Sequence, residues 1–439
     1  MERSAFREEL FRYSKELGCT AAETFFCSET AFDVSVREGE AERYTAATKQ
    51  SMNLRVRMDN RDGYAYTETM EDAETLVRRA IDNARAIEEE DDTPFVGAQT
   101  YLTLSKERAP MLDWSEQEKI AYAKRMEQAA LSADARIKRV SGSEVETVRV
   151  CVELHNTEGL CAVREGEDCA AVVDVVAEEG ETVKDAYALY TGVDADKMEE
   201  LVQEAVQKAV FRLDAAPVET GKYRVVLKHE ALNTLLTGML PMFSAEEAQR
   251  GRSLLSDKEG KTIAAPCVHL MDDPHHPSLA RAFDGEGMPT KRTDILSNGT
   301  LLTLLHNRKT AKRAGRETTG NAVRSASGPV SVGPNKFRFC GGETSYEALL
   351  EELRDGLVID SLAGAHAGID FVSGDFSLMA SGALVADGKI VRAVDRITVA
   401  GNFLTLLRDV EAVANDEKTH YGGTVCPSIL LRELQIAGK

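Results

Sequence analysis

Apolar residues recur at helical spacing in several stretches of the chain. Ala73, Leu76, Val77, Ala80, Ile81, Ala84 and Ile87 line one face and predict an amphipathic helix over 70–87. A second helix is predicted over 114–131. Met198, Leu201, Val202, Ala205, Val206, Ala209 and Val210 predict a third, with Asp194 as the expected N-cap. Phe6, Leu10 and Leu17 give a shorter stripe at the start. Between these helices the pattern turns extended. Residues 21–36, 44–58 and 64–66 read as one antiparallel meander, with turns at Glu38-Gly39-Glu40 and Arg61-Asp62-Gly63. Residues 140–155, 161–177 and 182–190 read as a second, with turns at Thr157-Glu158-Gly159 and 178–181. The order helix, strands, helix thus occurs twice. It suggests a structural duplication without a sequence repeat.

Past Ala215-Ala216-Pro217 the character changes. Tyr223-Arg224-Val225-Val226-Leu227 opens a new apolar strand, and glycines and turns become frequent. Asn298-Gly299 and Asp387-Gly388 each separate two apolar runs, a hairpin signal because both central residues need positive φ. Short helices are expected over 346–353 and 403–410, and a terminal strand over 427–436. The predicted class is α+β. An N-terminal domain of helices with antiparallel meanders covers 1–214, divisible into 1–110 and 111–214. A C-terminal β-rich α+β domain covers 219–439.

With 439 residues the chain is long enough for two or three domains. Its formal net charge of −20 argues against nucleic acid and against an anionic membrane surface as partners. The start, Met1-Glu2-Arg3-Ser4-Ala5-Phe6-Arg7, has no apolar core of a secretory signal, and no stretch approaches a membrane span. The expected location is the cytoplasm. The eight cysteines form no C-x-x-C pair, so reduced thiols are expected rather than a zinc ribbon.

Most catalytic motifs are missing. There is no G-x-S-x-G elbow and no phosphate loop; Gly382 to Lys389 reads as a hairpin instead. His229-Glu230 resembles the start of a zinc-protease helix, but such a helix needs a second imidazole one turn later. Asn233 and Thr234 stand there, and the pair reads as a polar strand-to-helix junction. Asp272-Asp273-Pro274-His275-His276-Pro277 reads as a polar surface turn. Asp284-Gly285-Glu286-Gly287 sets two acids between glycines, where a cation or a peptide amine could be held or a solvated turn formed. Residues 318–328 form a polar loop in which Arg324 could grip a carboxylate with two N–H groups, or which serves as a linker.

Several segments, taken in order, resemble the TldD/PmbA family. They are Phe243-Ser244-Ala245-Glu246-Glu247, Arg250-Gly251-Arg252-Ser253, Asp272-Asp273-Pro274 and Phe283-Asp284-Gly285-Glu286-Gly287-Met288-Pro289-Thr290. Gly299-Thr300-Leu301, Thr310-Ala311, Thr319-Gly320-Asn321-Ala322 with Arg324, Gly374-Asp375-Phe376-Ser377 and Thr398-Val399-Ala400-Gly401-Asn402 continue them. The match is dense over the second half and diffuse over the first.

The resemblance implies a protease built from two related subunit types. The TldD type carries an H-E-x-x-x-H helix that, with a later cysteine, looks like a zinc site; the PmbA (TldE) type lacks it. Aligned on the strand 225–227, that helix is expected to fall over Thr237-Gly238 and Met242, with His229-Glu230 outside the register. Cys426 stands near the ligand cysteine's place, but its context, Thr424-Val425-Cys426-Pro427-Ser428, fits the PmbA-type ending, so no ligand role is carried over. The expectation is a chain without its own metal or catalytic residues, and with zinc in a TldD-type partner. Asp284, Glu286, Asn321 and Arg324 are the expected cavity-facing groups toward peptide. The alternatives are a self-sufficient peptidase with an unrecognised site and a peptide-binding homodimer.

Overall fold

The computed structural model describes residues 2–422 and 424–439, Leu279 by its backbone alone. Helix α1 spans Arg3–Glu16 and is followed by strands β1 (Ala21–Arg37), β2 (Glu40–Met58) and β3 (Arg61–Thr67) and helix α2 (Ala73–Ala86). The pattern then repeats with α3 (Glu116–Ala133), β4 (Ile137–Asn156), β5 (Cys161–Glu179), β6 (Thr182–Thr191) and α4 (Met198–Phe211). The two meanders are one sheet. Its order is β3-β2-β1-β4-β5-β6, joined where β1 pairs antiparallel with β4 from Glu23↔Asn156 to Val36↔Ser143. The two helix–strands–helix units therefore face each other across the centre of a single sheet. Phe6, Leu10, Leu54, Leu76 and Val77 pack under the first unit; Tyr122, Met126, Val173, Leu201 and Ala205 pack under the second.

Three local expectations need correction. Helix α2 begins at Ala73, not at residue 70, because Asp72 caps it by accepting from the Thr75 N–H at 3.1 Å. Asp194 does not cap α4: it ends a short 3₁₀ turn and pairs with Lys197 at 2.7 Å, while α4 starts uncapped at Met198. The turn before β3 lies at Asp59-Asn60, whose φ values of 50° and 58° make the two-residue hairpin. Gly63 sits inside β3, where a Cβ would come within 1.9 Å of the Ala80 carbonyl oxygen. Glycine there lets α2 lie directly on the strand.

In the second half, β7 (Gly221–Leu227) runs almost directly into α5 (His229–Met239). β7 pairs parallel with Gly356–Ala363 and antiparallel with Ile429–Ala437. Ile429–Ala437 pairs with Lys389–Asn402, which pairs with Asp375–Ala386. Asp375–Ala386 returns to Gly356–Ala363, so the five strands close into a ring. Leu232, Leu235, Leu236 and Met239 of α5 join one core with Leu227, Ile359, Leu378 and Leu431 from this ring. A second, six-stranded sheet includes Leu270–Asp272, Phe337–Phe339 and Val425–Cys426. The hairpins at Asn298-Gly299 (φ 48° and 73°) and Asp387-Gly388 (φ 50° and 74°) form as the sequence predicts. The fold is α+β. Among the described residues no helix is long and apolar enough to cross a membrane.

Candidate functional site

Helix α5 buries its leucine face in the core and turns His229, Glu230, Asn233 and Thr234 toward a cleft between the two halves. The opposite wall comes from Tyr187 on β6, from Glu204 and Lys208 on α4 and from Arg212 just after it; Lys418 and His420 complete it. The Lys208 Nζ donates to Glu204 at 2.7 Å and to Glu230 at 3.0 Å, tying α4 to α5. The rings of His229 and His420 lie 5.3 Å apart. The Cys426 thiol donates to the His229 carbonyl oxygen at 3.2 Å. Thr424 donates to the Asn233 side-chain oxygen. His229 Nδ1, Glu230 Oε2 and His420 Nε2 are buried, and none has a hydrogen-bond partner among the described residues.

Burial sets the charges here. It lowers both His229 and His420 to about 4, so both imidazoles are neutral near pH 7. Burial would raise Glu230, but His229, Lys228 and Lys208 outweigh it and hold the carboxyl at about 2. Burial pushes the Cys426 thiol well above its ordinary value, so it stays protonated.

The four residues expected to face a cavity lie elsewhere, in a second polar cluster that joins the halves. Arg324 has a fully buried side chain; it donates to Glu23 on β1 at 2.6 Å and to Asn53 on β2 at 2.7 Å. Asn321 is buried and donates to Asp272 at 2.7 Å. Asp284 accepts from the N–H groups of Glu286, Met288 and Ala322, and Glu286 accepts from the Arg308 N–H at 2.9 Å. Asn321, Arg324 and Asp284 are thus interior groups rather than rim groups; Glu286 also borders a small cleft beside Arg55 and Asn307. Burial and the neighbouring Glu286 push Asp284 up to about 7.

Sequence reading missed the partners of this cluster, Arg55, Arg57 and Asp62, in which both arginines donate to the one carboxylate. A signal existed: Asn53, Arg55 and Arg57 alternate with Met52, Leu54 and Val56, a polar face on a strand that is buried on both sides. The segment 272–277 is not the surface turn expected: Asp272 and Asp273 are buried, Asp272 accepting from Asn321, Asn335 and the Lys336 N–H, and its histidines make structural contacts. His275 meets the Thr290 carbonyl oxygen at 3.2 Å, and His276 bonds Ser278 at 2.9 Å.

Residues 220–438 match the PmbA/TldA metallopeptidase C-terminal domain, 109–213 its central domain and 22–84 its domain 1. The chain belongs to the PmbA/TldA metallopeptidase family. It is 29% identical over 435 residues to the metalloprotease PmbA of Escherichia coli O157:H7, covering 95% of this chain and 92% of that protein. A protein of Thermotoga maritima, solved as a candidate modulator of a DNA gyrase, is 30% identical with a TM-score of 0.91, covering 99% of this chain and 100% of that one. TldE from Thermococcus kodakarensis shares the fold at 23% identity and a TM-score of 0.90, over 99% and 100% of the two chains.

A metallopeptidase family implies a metal ion, for which zinc is the expectation set by the resemblance, and the residues of the α5 cleft can be tested against it. Zinc needs three or four donors around one point. His229 and Glu230 are followed one turn later by Asn233, whose oxygen is taken by Thr424, and by Thr234, which donates to the Glu230 carbonyl oxygen at 3.2 Å. The Cys426 thiol is turned to the His229 carbonyl oxygen. Among the described residues no three His, Cys, Asp or Glu side chains converge as a metal-binding group. The donor set does not fit zinc.

The geometry also corrects the expected register. Cys426 meets His229 at the start of α5 rather than Thr237–Met242 at its end. At that end a Cβ on Gly238 would strike Ile369 at 2.5 Å, and Met242 is wholly buried. Because β7 leads into α5 after a single residue, His229-Glu230 is the pair that stands where a late cysteine can reach.

Proposed function

We propose that this chain is the non-metal-binding subunit of a cytoplasmic peptidase of this family. It pairs with a TldD-type chain that supplies the zinc and acts in the breakdown or processing of small or unfolded peptides. One observation carries the reading: α5 keeps a His-Glu pair beside Cys426, yet fills the following turn with Asn233 and Thr234. The likeness to a chain named TldE supports the same assignment. Peptide can be held by strand addition, which grips backbone irrespective of side chains. β3 pairs with β2 only over 52–58, which leaves the outer edge of β2 free over 40–51 among the described residues.

Metal analysis and co-purification test this. The full-length protein purified alone is expected to carry well under one zinc per chain and no peptidase activity, and to form a defined complex with a TldD-type subunit in native mass measurements. About one zinc per chain, lost with activity on chelation, would establish a self-sufficient peptidase instead. A stable pair of identical chains that never recruits such a subunit would leave a peptide-binding homodimer.

A further inference from the structure

The α5 cleft does not end at His420. Leu189, Lys418, Thr419 and His420 also line the next hollow, which shares Glu107, Asp168 and Ser278 with a third. These hollows run as one groove along the boundary of the two halves. The third is the widest. Its floor is Val148 and Val150 of β4 and Gly166 of β5, where an added Cβ would meet nothing within 4 Å. One wall is the loop that carries Ser278, Ala280 and Arg281; another is the segment 106–108, fixed to that loop by the Glu107 N–H bonding the Pro277 carbonyl oxygen at 3.2 Å.

Arg164 and Arg281 both line this end of the groove. Among the described residues neither guanidinium has an ion-pair or hydrogen-bond acceptor; Arg164 lies over the Phe283 ring, 5.9 Å from its centre. Burial lowers both, and Arg281 adds to the effect on Arg164, which falls to about 10. Both remain charged near pH 7. Lys336 is close by, lowered to about 8 by burial against the opposing pull of Asp168, with Arg281 adding to the lowering, and its Nζ donates to Ser278 at 2.9 Å. In a protein of net charge −20, three cations are thus gathered; Asp272 acts on Arg281 and Asp168 and Asp273 on Lys336 from a distance, but among the described residues no carboxylate pairs directly with either guanidinium. Such an arrangement is costly unless an anion completes it, and guanidinium suits the two oxygens of a carboxylate.

The surroundings narrow the anion. Four acids also line the hollow: Glu167 is paired with Arg108 and Arg149 and Asp168 acts on Lys336, while Glu107 and Glu165 have no cationic partner among the described residues, so they repel a polyanion. Val148, Val150 and Ala280 provide an apolar seat beside the guanidinium groups. A single carboxylate attached to an apolar residue satisfies both conditions.

We propose that Arg164 and Arg281 dock the C-terminal carboxylate of a peptide whose chain runs along the groove toward His420 and α5. The inference rests on the peptide-handling function proposed above and adds the polarity with which substrate lies.

Fluorescence anisotropy on the full-length chain tests it, with two N-terminally labelled hexapeptides of alanine and valine, one a free acid and one a C-terminal amide. The acid is expected to bind at least tenfold tighter. R164Q and R281Q, each checked for unchanged melting, are expected to weaken the acid to the level of the amide. Equal binding of acid and amide, no binding of either, or a preference that survives both substitutions overturns the site. Inorganic phosphate is the control anion. Displacement of the acid by micromolar phosphate would make the pair a phosphate site and also overturn the proposal. If partner capture fails while the acid preference stands, only the subunit reading falls. If the preference fails while capture stands, only this site does.

Discussion

Two polar clusters join the halves of this molecule, and they are built on opposite principles. Around Arg324 the charges are buried and paired: Glu23 and Asn53 accept from Arg324, and Asp62 accepts from Arg55 and Arg57, with only Arg55 and Asp62 also bordering a cleft. Around α5 the charges border a groove, and among the described residues His229 Nδ1, Glu230 Oε2 and His420 Nε2 make no hydrogen bond, as Asn53 Nδ2, Asn321 Oδ1 and Arg324 Nε make none in the other cluster, so the groove and not the number of unpartnered atoms sets the two apart. A closed network holds two bodies in one register. An open one borders space that something can enter. The family-typical residues Asp284, Asn321 and Arg324 fall in the closed network, so their role here is to fix the geometry in which the open cleft exists.

The sharpest way to break this contrast is R324M. It strands Glu23, 1% exposed, without its closest cation, and is expected to cost about 3–5 kcal/mol in urea unfolding. The double variant E23Q/R324M should recover part of that loss. A loss under about 1 kcal/mol would show the network to be ornamental to stability.

The two clusters should also titrate with opposite signs. His229 is held at about 4 in the folded chain against about 6.5 unfolded. The native state therefore binds fewer protons between those values. The contribution is full above pH 6.5 and is lost as pH falls through 4, about 2–3 kcal/mol for this buried ring. H229Q should flatten that acid limb of the stability–pH curve.

Asp284 is raised from 3.8 to about 7 when folded. Its contribution is full below pH 3.8 and is lost as pH rises through 7. Burial is the larger cause and Glu286 the smaller, so E286Q should recover only about 1 kcal/mol at pH 8. A wild-type curve flat across this range would refute the assignment.

The smallest effect is expected from K208M. Lys208 also bridges the halves, but its side chain is 22% exposed and its partners Glu204 and Glu230 are similarly wet. Loss of the bridge should change stability by no more than about 1 kcal/mol. An effect as large as that of R324M would erase the distinction between the clusters.

The helices and hairpins were legible because each is signalled locally. Residues 346–353 form the helix predicted, and both Asn298-Gly299 and Asp387-Gly388 adopt the positive φ that their chemistry suggests. The joining of two meanders into one sheet was not legible, since the β1–β4 pairing brings together residues more than a hundred positions apart. The site was half legible. His229-Glu230 and Cys426 each stood out, but only folding shows that they touch. Arg324 does meet a carboxylate, but with one N–H rather than two, and it belongs to Glu23 of the same chain while the other N–H goes to Asn53. Sequence shows that a guanidinium needs a partner and does not show whether the fold has already supplied one, which is also why Arg164 and Arg281 passed unnoticed.

The strand ring of the second half has its entrance and exit stitched together. The Lys439 N–H bonds the Val218 carbonyl oxygen at 3.0 Å, and the Thr220 N–H bonds the Lys439 carbonyl oxygen at 3.1 Å. A short linker across that seam would turn this half into a loop without ends, so a circular permutant opened at the exposed Asp387-Gly388 hairpin keeps every strand of the ring. Trimming the last eleven residues, by contrast, removes the stave Ile429–Ala437 that sits between β7 and Lys389–Asn402.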